Sequence, residues 1–284
     1  MKTKDELAAE QATYWKGAGG TMWLGAYDRI QRGIQGFGEA VLAAANAQPD
    51  ERALDIGCGT GGTTAALAAA VGAKGHVLGV DISEPLVAAA RAQGLANTAF
   101  AVGDATTWPF EAQSFDLVFS RFGVMFFGDP VAAFTNIRRA MKPGGRLVFI
   151  CWRTPPENPW AAVPMRAALP FLPPIERPGP EEPGQYSFGD RARVERILGQ
   201  AGFTGLSIEP VDLMLNQGKD IPSVMQNIGD FGPLARAFKD VAPEQIAKAK
   251  EAIAEALKPY ATGDGVKLAG ACWLVRARVD QRRA

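Results

Sequence analysis

The stretch that most constrains this chain runs from Ala53 to Thr64 and reads A-L-D-I-G-C-G-T-G-G-T-T. A short apolar strand (Ala53, Leu54, Ile56) runs into Gly57, Gly59, Gly61 and Gly62. An alanine-rich helical pattern follows at once, from about Thr63 to Val71. Glycines at a strand-to-helix turn permit positive φ and let the backbone approach a ligand closely. The helix that starts there offers unpaired N–H groups and the positive end of its dipole. Such a turn is a nucleotide or anion cradle. A bare G-x-G-x-x-G also serves as a tight βα turn with no ligand, so the surroundings decide.

Those surroundings alternate. Ala53–Ile56 reads as strand one, His76–Val80 as strand two, Phe100–Val102 as a short third, Phe115–Ser120 as a fourth and Arg146–Trp152 as an apolar fifth. Ser83 caps a helix with Pro85 in its first turn and Gly94 near its end. Asp129-Pro130 opens another, with Val131, Phe134, Ile137 and Met141 on one face, and Lys142-Pro143-Gly144-Gly145 stops it. Apolar strands alternating with helices over short connections predict an α/β fold, a parallel sheet covered on both faces.

Two stretches interrupt this order. Residues 154–189 carry ten prolines between Pro155 and Pro183, too many for a central strand or a long helix. Asp190 then caps a helix with Val194, Ile197, Leu198 and Ala201 inward, and Leu206–Leu215 reads as strand six. The second interruption, about residues 216–265, holds a helix opened by Pro243 with Ile246, Ile253 and Leu257 on one face. Ala271–Ala277 is a last strand, followed by a basic tail. Upstream, Thr3 and Glu6 suit a capping box, and a helix is expected from roughly Ile30 to Ala45. Between them, glycines interleave with Trp15, Trp23 and Tyr27. That pattern suits a mobile segment carrying large rings over a site, and equally an anchor of the N-terminus to the core. The expected organisation is an N-terminal helical lid (1–48) and a ligand-binding domain (49–284) with insertions at 154–189 and 216–265.

Composition excludes several classes. Thirty basic and thirty acidic residues leave no net charge to attract nucleic acid or an anionic membrane. Cys58, Cys151 and Cys272 are far apart and read as small buried residues in a reducing compartment, neither a disulfide framework nor a metal site. The polar N-terminus does not suit a signal peptide and no apolar run approaches membrane-spanning length. A soluble, cytoplasmic protein without a metal is expected.

The chemistry gathers at successive strand ends, the edge where open parallel sheets bind ligands. Strand one ends in Asp55 and the glycine loop. Strand two ends in Asp81, nineteen residues beyond Gly62, suited to ribose hydroxyls. Strand three ends in Gly103-Asp104-Ala105, where a carboxylate meets an adenine amine, and strand four in Ser120-Arg121-Phe122. Together D-I-G-C-G-T-G (Asp55–Gly61), G-V-D-I-S (Gly79–Ser83), G-D-A (Gly103–Ala105), F-D-L-V (Phe115–Val118) and K-P-G-G (Lys142–Gly145) resemble class I S-adenosylmethionine-dependent methyltransferases. The likeness is to the small-molecule branch related to ubiquinone- and menaquinone-biosynthesis enzymes. It spans roughly Pro49 to Trp152 and implies a doubly wound, Rossmann-like, seven-stranded, mostly parallel sheet. It also implies S-adenosylmethionine as methyl donor and S-adenosylhomocysteine as product. By this resemblance Gly57 and Gly59 lie beside the methionine moiety, Asp81 takes the ribose diol and Asp104 the adenine amine, with Asp55 and Cys58 also among the cofactor-binding residues. Ile82 and Ala105 bracket the adenine ring, and Ser120 sits near the methionine end.

Methyl transfer from a sulfonium is an in-line displacement that positioning alone accelerates, with a base needed only for a protonated acceptor. The only histidine, His76, opens strand two at the end opposite the glycine loop and reads as structural. A small acceptor, apolar or aromatic, would be enclosed by Trp15, Trp23, Tyr27, Phe122, Phe126, Trp152 and Trp160, with Arg121 or Arg153 holding a carboxylate or phenolate. Ordinary core packing accounts for the same aromatics. Two alternatives stay open: a fold that binds the cofactor for other chemistry or regulation, and a nicotinamide-dependent oxidoreductase. Gly57, Gly59, Gly62 and Asp81 satisfy the latter's fingerprint; Asp55, the G-D-A and the lack of a Tyr-x-x-x-Lys pair speak against it.

Overall fold

The Thr3 hydroxyl accepts from the Glu6 N–H at 3.2 Å and the Glu6 carboxylate accepts from the Thr3 N–H at 2.7 Å, so the capping box forms and opens α1 (Lys4–Lys16). The computed structural model describes residues 3–174, 179, 181–230 and 232–281. Arg282 and Arg283 of the expected basic tail, and Pro178 and Pro180 of the first insertion, lie outside the described residues.

The glycine-rich segment that reads as mobile is helical: α2 spans Ala18–Gly25. Its glycines serve close packing. A Cβ on Gly19 would stand 2.4 Å from the Tyr14 ring, and one on Gly20 would stand 2.3 Å from Ser83 Oγ, so the helix lies flush on its neighbours only without side chains there. α3 (Tyr27–Ala45) begins three residues earlier than the periodicity suggests and ends at Asn46 in the left-handed region (φ 44°). It buries Ile34, Phe37, Val41 and Ala45, a stripe at helical spacing. Arg146 closes its C-terminus, donating to the Ala45 and Asn46 carbonyls at 2.9 and 2.8 Å while paired with Glu51 at 2.5 Å.

The strands that follow are β1 (Arg52–Ile56), β2 (His76–Asp81), β3 (Thr98–Val102), β4 (Phe115–Arg121) and β5 (Met141–Trp152), then β6 (Thr204–Gly218), the stub β7 (Ala261–Thr262) and β8 (Gly265–Arg278). They form one mixed sheet of order β3-β2-β1-β4-β5-β8-β6, with β7 paired to β8. β1 to β5 are mutually parallel; β8 runs antiparallel to both β5 and β6. This is the doubly wound, mostly parallel sheet expected. Strand order reverses between β1 and β4, which opens a crevice at their carboxyl ends. The helices α4 (Gly62–Val71), α5 (Glu84–Arg91), α6 (Pro130–Ala140) and α8 (Arg191–Gln200) connect the strands.

Two local expectations change. Ser83 occupies the N-cap of α5 but its hydroxyl makes no capping bond; the Asp81 carboxylate accepts the Ser83 N–H at 2.9 Å instead. Lys142-Pro143-Gly144-Gly145 does not separate α6 from its strand but belongs to β5. Phe115 pairs with Met141 and Leu117 with Arg146, so Lys142–Gly145 bulges opposite Asp116, where Lys142 Nζ binds the Asp116 carboxylate at 2.7 Å.

The insertions pack on each other. α7 (Pro159–Ala168), with Pro164 inside it, lies against α11 (Pro243–Leu257). With α9 (Ile221–Asn227) and α10 (Gly232–Ala237) they share a second apolar core of Val163, Val224, Leu234, Ile253, Leu257 and Val266. Ile246 stays half-buried at its margin. Fully buried Asn158 ties this cap to the sheet. Its Nδ2 donates to the carbonyls of Arg153, Thr154 and Ala271 at 3.1–3.2 Å, and its Oδ1 accepts from Ala271 N–H at 2.9 Å and from Trp160 Nε1 at 3.1 Å. Every polar atom of the side chain is satisfied, and the Trp160 ring is fixed.

Candidate active site

At the crevice the β1 backbone turns through three left-handed glycines: Gly57 (φ 69°), Gly59 (φ 56°) and Gly61 (φ 85°). Gly57 meets Gly123 of the β4–α6 connection backbone to backbone. A Cβ on Gly57 would fall 2.8 Å from the Gly123 Cα, so a side chain at either position would wedge β1 from β4. Asp81 closes the turn, its Oδ2 accepting the Gly59 N–H at 2.9 Å and its Oδ1 the Ser83 N–H. Burial pushes the Asp81 carboxyl up against these hydrogen bonds, which favour the ionised form. Asp104 accepts the Thr106 N–H on Oδ1 at 2.8 Å.

Over these strand ends lies a cavity of about 260 Å³. Gly57, Gly59, Asp81, Ile82, Asp104 and Ala105 line it together with Arg121 and the rings of Trp15, Trp23, Phe122, Phe126, Trp152 and Trp160. Phe122 follows β4 with φ 61°, an uncommon conformation for a bulky residue. Its N–H donates to the Ile150 carbonyl at 3.1 Å and its ring stacks on Trp152 at 4.6 Å, interplanar angle 12°. Trp15 meets Phe126 edge-on at 4.9 Å and Trp23 at 6.1 Å. A side recess of about 30 Å³ opens behind the glycine loop, lined by Trp23, Tyr27, Gln31, Cys58, Thr60 and Arg121 among others. Gln31 Nε2 and Thr60 Oγ1 are buried without hydrogen-bond partners.

Four sequence-derived candidates fall elsewhere than expected. Asp55 lines neither space: it is fully buried, and its Oδ2 accepts from the Thr63 and Thr64 hydroxyls at 2.8 and 2.7 Å, which ties β1 to α4. Ser120 is fully buried too. Its hydroxyl donates to the Ile56 carbonyl at 2.7 Å and accepts the Gly123 N–H at 3.3 Å, so it stitches β4 to β1. Cys58 and Tyr27 face the recess and not the main cavity. Of the two arginines weighed for an anion, Arg153 is spent on Glu157 and Asp212 and lies over the Trp273 ring. Sequence reasoning missed Ile34, Leu86 and Arg236 and did not single out Tyr14, all of which also line the cavity. Arg236 comes from α10 and sits 5.1 Å above the Tyr14 ring, a contact across 222 residues that no local pattern announces.

Burial raises the Asp55 carboxyl from 3.8 to about 6, partly opposed by Thr64, Thr63 and the charge of Arg121. A carboxyl whose folded pKa is raised favours the folded state while protonated, and that stability is lost as pH rises from about 4 through about 6. Two pH units amount to about 3 kcal/mol. The stability of wild type relative to Asp55→Asn, read by chemical unfolding, is therefore expected to fall by about 3 kcal/mol between pH 4 and pH 7. A pH-independent difference would contradict it.

A doubly wound α/β sheet with a glycine turn, strand-end carboxylates and a cavity at the switch point defines a nucleotide-type ligand site. A methyltransferase domain model matches residues 53–145. The demethylmenaquinone methyltransferase of Staphylococcus saprophyticus is 30% identical over 201 residues, covering 65% of this chain and 85% of that protein. Aklanonic acid methyltransferase DauC of a Streptomyces species is 36% identical over 155 residues, 52% of this chain and 65% of that one. The crystal structure of YcgJ from Bacillus subtilis shares the fold, with TM-score 0.56 at 17% identity over 86% of this chain and 98% of its own. The chain belongs to the class I S-adenosylmethionine-dependent methyltransferases, in the quinone-biosynthesis branch, and is an enzyme. The nicotinamide alternative falls with that assignment. Among the described residues no helix is long and apolar enough to cross a membrane.

Proposed function

We propose that S-adenosylmethionine lies along the glycine loop and the ends of β2 and β3, and that its methyl is offered to a small, apolar or aromatic acceptor beneath α1, α2 and α10. The observation that carries this reading is one cavity lined both by glycine backbone with two strand-end carboxylates and by a set of aromatic rings. The residues fit such a donor. Asp81 retains lone pairs for ribose hydroxyls beside its two backbone bonds, because a carboxylate offers about four acceptor positions. Asp104 has its Oδ2 for the adenine amine, and Ile82, Leu86 and Ala105 supply apolar faces to the ring. Gln31, Thr60 and the uncapped N-terminus of α4 present donors at the recess, suited to the methionine carboxylate. Asp55 and Ser120 act one layer below, tying β1 to α4 and to β4, while Cys58 lines the recess.

When bound, the donor supplies an electrophilic methyl group. The chain's part is to align the acceptor in line with it and to exclude water, which the rigid loop and the aromatic roof suit. The acceptors named for the two relatives, demethylmenaquinone and aklanonic acid, support a small-molecule acceptor for this chain. Calorimetry tests the reading: S-adenosylhomocysteine is expected to bind in the micromolar range and NADH not at all. NADH binding without an S-adenosylhomocysteine signal would overturn it.

A further inference from the structure

Arg121 differs from three other shielded arginines. Arg146 is neutralised by Glu51, Arg153 by Glu157 and Asp212, and Arg193 by Glu181. Arg121 has no hydrogen bond and no ion pair among the described residues, although it borders both the cavity and its recess. Its guanidinium rests against α3, where a Cβ on Gly38 would lie 3.1 Å from Nη1. Asp55 and Tyr27 are the ionisable groups that face it. Their charges favour the guanidinium but neither group hydrogen-bonds it: Asp55 gives Oδ2 to two threonines and leaves Oδ1 without a partner. Guanidinium N–H groups that border a cavity without a hydrogen-bonded partner are suited to an entering anion.

We propose that Arg121 binds the methyl acceptor as an aromatic oxyanion, a phenolate or carboxylate, held against Phe122 and Trp152. This rests on the donor placement proposed above. Three observations favour the acceptor over the donor as the anion. Arg121 lines the same cavity as Phe122, Trp152 and Arg236, and the carboxylates among the described lining residues, Asp81 and Asp104, are those the donor placement uses. The recess already offers neutral donors (Gln31 Nε2, Thr60 Oγ1 and the α4 N-terminus) for a carboxylate of the donor. No histidine borders the cavity among the described residues, and in the donor placement Asp81 and Asp104 are taken up by the ribose and the adenine, so neither carboxylate serves as the acceptor's base. An acceptor ionised on entry needs no base. Its proton goes to water, and the oxyanion is stabilised by Arg121. The oxygen–carbon bond then forms as the sulfur–carbon bond breaks, with the electron pair staying on sulfur. Anion and sulfonium cancel, leaving a neutral methyl ether or ester and a thioether.

The test measures calorimetric affinities of 4-nitrophenolate, 4-nitrobenzoate and neutral 4-nitroanisole on protein saturated with S-adenosylhomocysteine, at a pH where the phenol is ionised. Wild type is expected to prefer one anion to the anisole by about tenfold or more, as a charge-assisted hydrogen bond provides. Preference for the phenolate assigns a hydroxyl acceptor, and preference for the benzoate assigns a carboxyl one. Arg121→Met should abolish the preference and Arg121→Lys should keep part of it, with anisole and S-adenosylhomocysteine affinities within about threefold of wild type. The wild-type comparison needs no variant to fold. Equal binding of all three probes, or binding of none, overturns the proposal. So does an Arg121→Met protein that loses S-adenosylhomocysteine affinity and keeps the anion preference, which would put the arginine on the donor. Failure of wild type to bind S-adenosylhomocysteine is a separate result and sinks the donor reading itself.

Discussion

Asp81→Ala is expected to weaken S-adenosylhomocysteine binding by roughly 10- to 150-fold. A hydrogen-bonded charge contributes about 1.5–3 kcal/mol, which converts to that range. Asp81 acts on the site twice. Its Oδ2 pins the Gly59 N–H and its Oδ1 pins the Ser83 N–H, so the carboxylate sets the shape of the glycine loop and the start of α5. In the donor reading it also faces the ribose diol. Removing it therefore loses a ligand contact and loosens the backbone that makes the others. Asp81→Asn separates the two contributions. One amide oxygen still accepts a backbone N–H, while the side-chain NH2 opposes the second, so the loss should lie between alanine and wild type. Asp104→Ala should cost less than Asp81→Ala, because Asp104 pins one N–H, that of Thr106, and none in the glycine loop. Calorimetry on the three variants decides. An Asp81→Ala protein that binds like wild type would remove the carboxylate from the site.

The strand ends were legible because each is a contiguous motif. Gly57, Gly59, Asp81 and Asp104 need only the alternation of strands and helices to bring them to one edge, and they line the cavity together. What escaped the sequence depends on pairs far apart in the chain. Arg121 and Arg153 follow successive strands and read alike. Arg153 is claimed by Asp212, 59 residues on, while nothing described claims Arg121. Ser120 and Asp55 sit among site residues in sequence, yet their side chains point into the joint between β1, β4 and α4, because alternate residues of a strand face opposite ways. The glycines of α2 suggest freedom by composition, but Gly19 and Gly20 are buried against Tyr14 and Ser83, where only the absence of a Cβ lets two elements meet. The prolines of the first insertion argue against a long helix, and α7 is short, its inner Pro164 held where α11 packs along the helix. Tertiary burial outweighed local propensity there.

Deletion of residues 1–25 is expected to leave the sheet folded and to weaken S-adenosylhomocysteine binding by about 30- to 150-fold, with loss of 4-nitrophenolate binding. The cut spares Ala26 and all of α3, so Phe37, Val41 and Ala45 keep the burial that holds α3 on the sheet. It removes α1 and α2, and with them Ala8, Gln11, Tyr14, Trp15 and Trp23 from the cavity wall. Two indole faces withdrawn from a bound ligand are worth about 2–3 kcal/mol at the usual value per apolar area, which gives the stated range. The structure sharpens how such a roof would work. α2 is a formed helix seated on α5 by Gly20, and Trp15 Nε1 and Ser83 Oγ are buried there without partners. Two unsatisfied polar groups make this joint weaker than the sheet beneath it. Opening is then a hinged departure of α1 and α2 as a unit, with no melting of a loose segment. Hydrogen exchange across Trp15 to Gly25 should accordingly be faster than in β1 and β4 in the free protein, and should slow when S-adenosylhomocysteine binds. Gly20→Val gives a second route to the same state, since its branched side chain meets Ser83 Oγ and the Trp15 carbonyl and should lift α2. Normal affinity in the truncated protein, together with exchange in this segment as slow as in the strands, would make α1 and α2 an anchor of the N-terminus and not a lid.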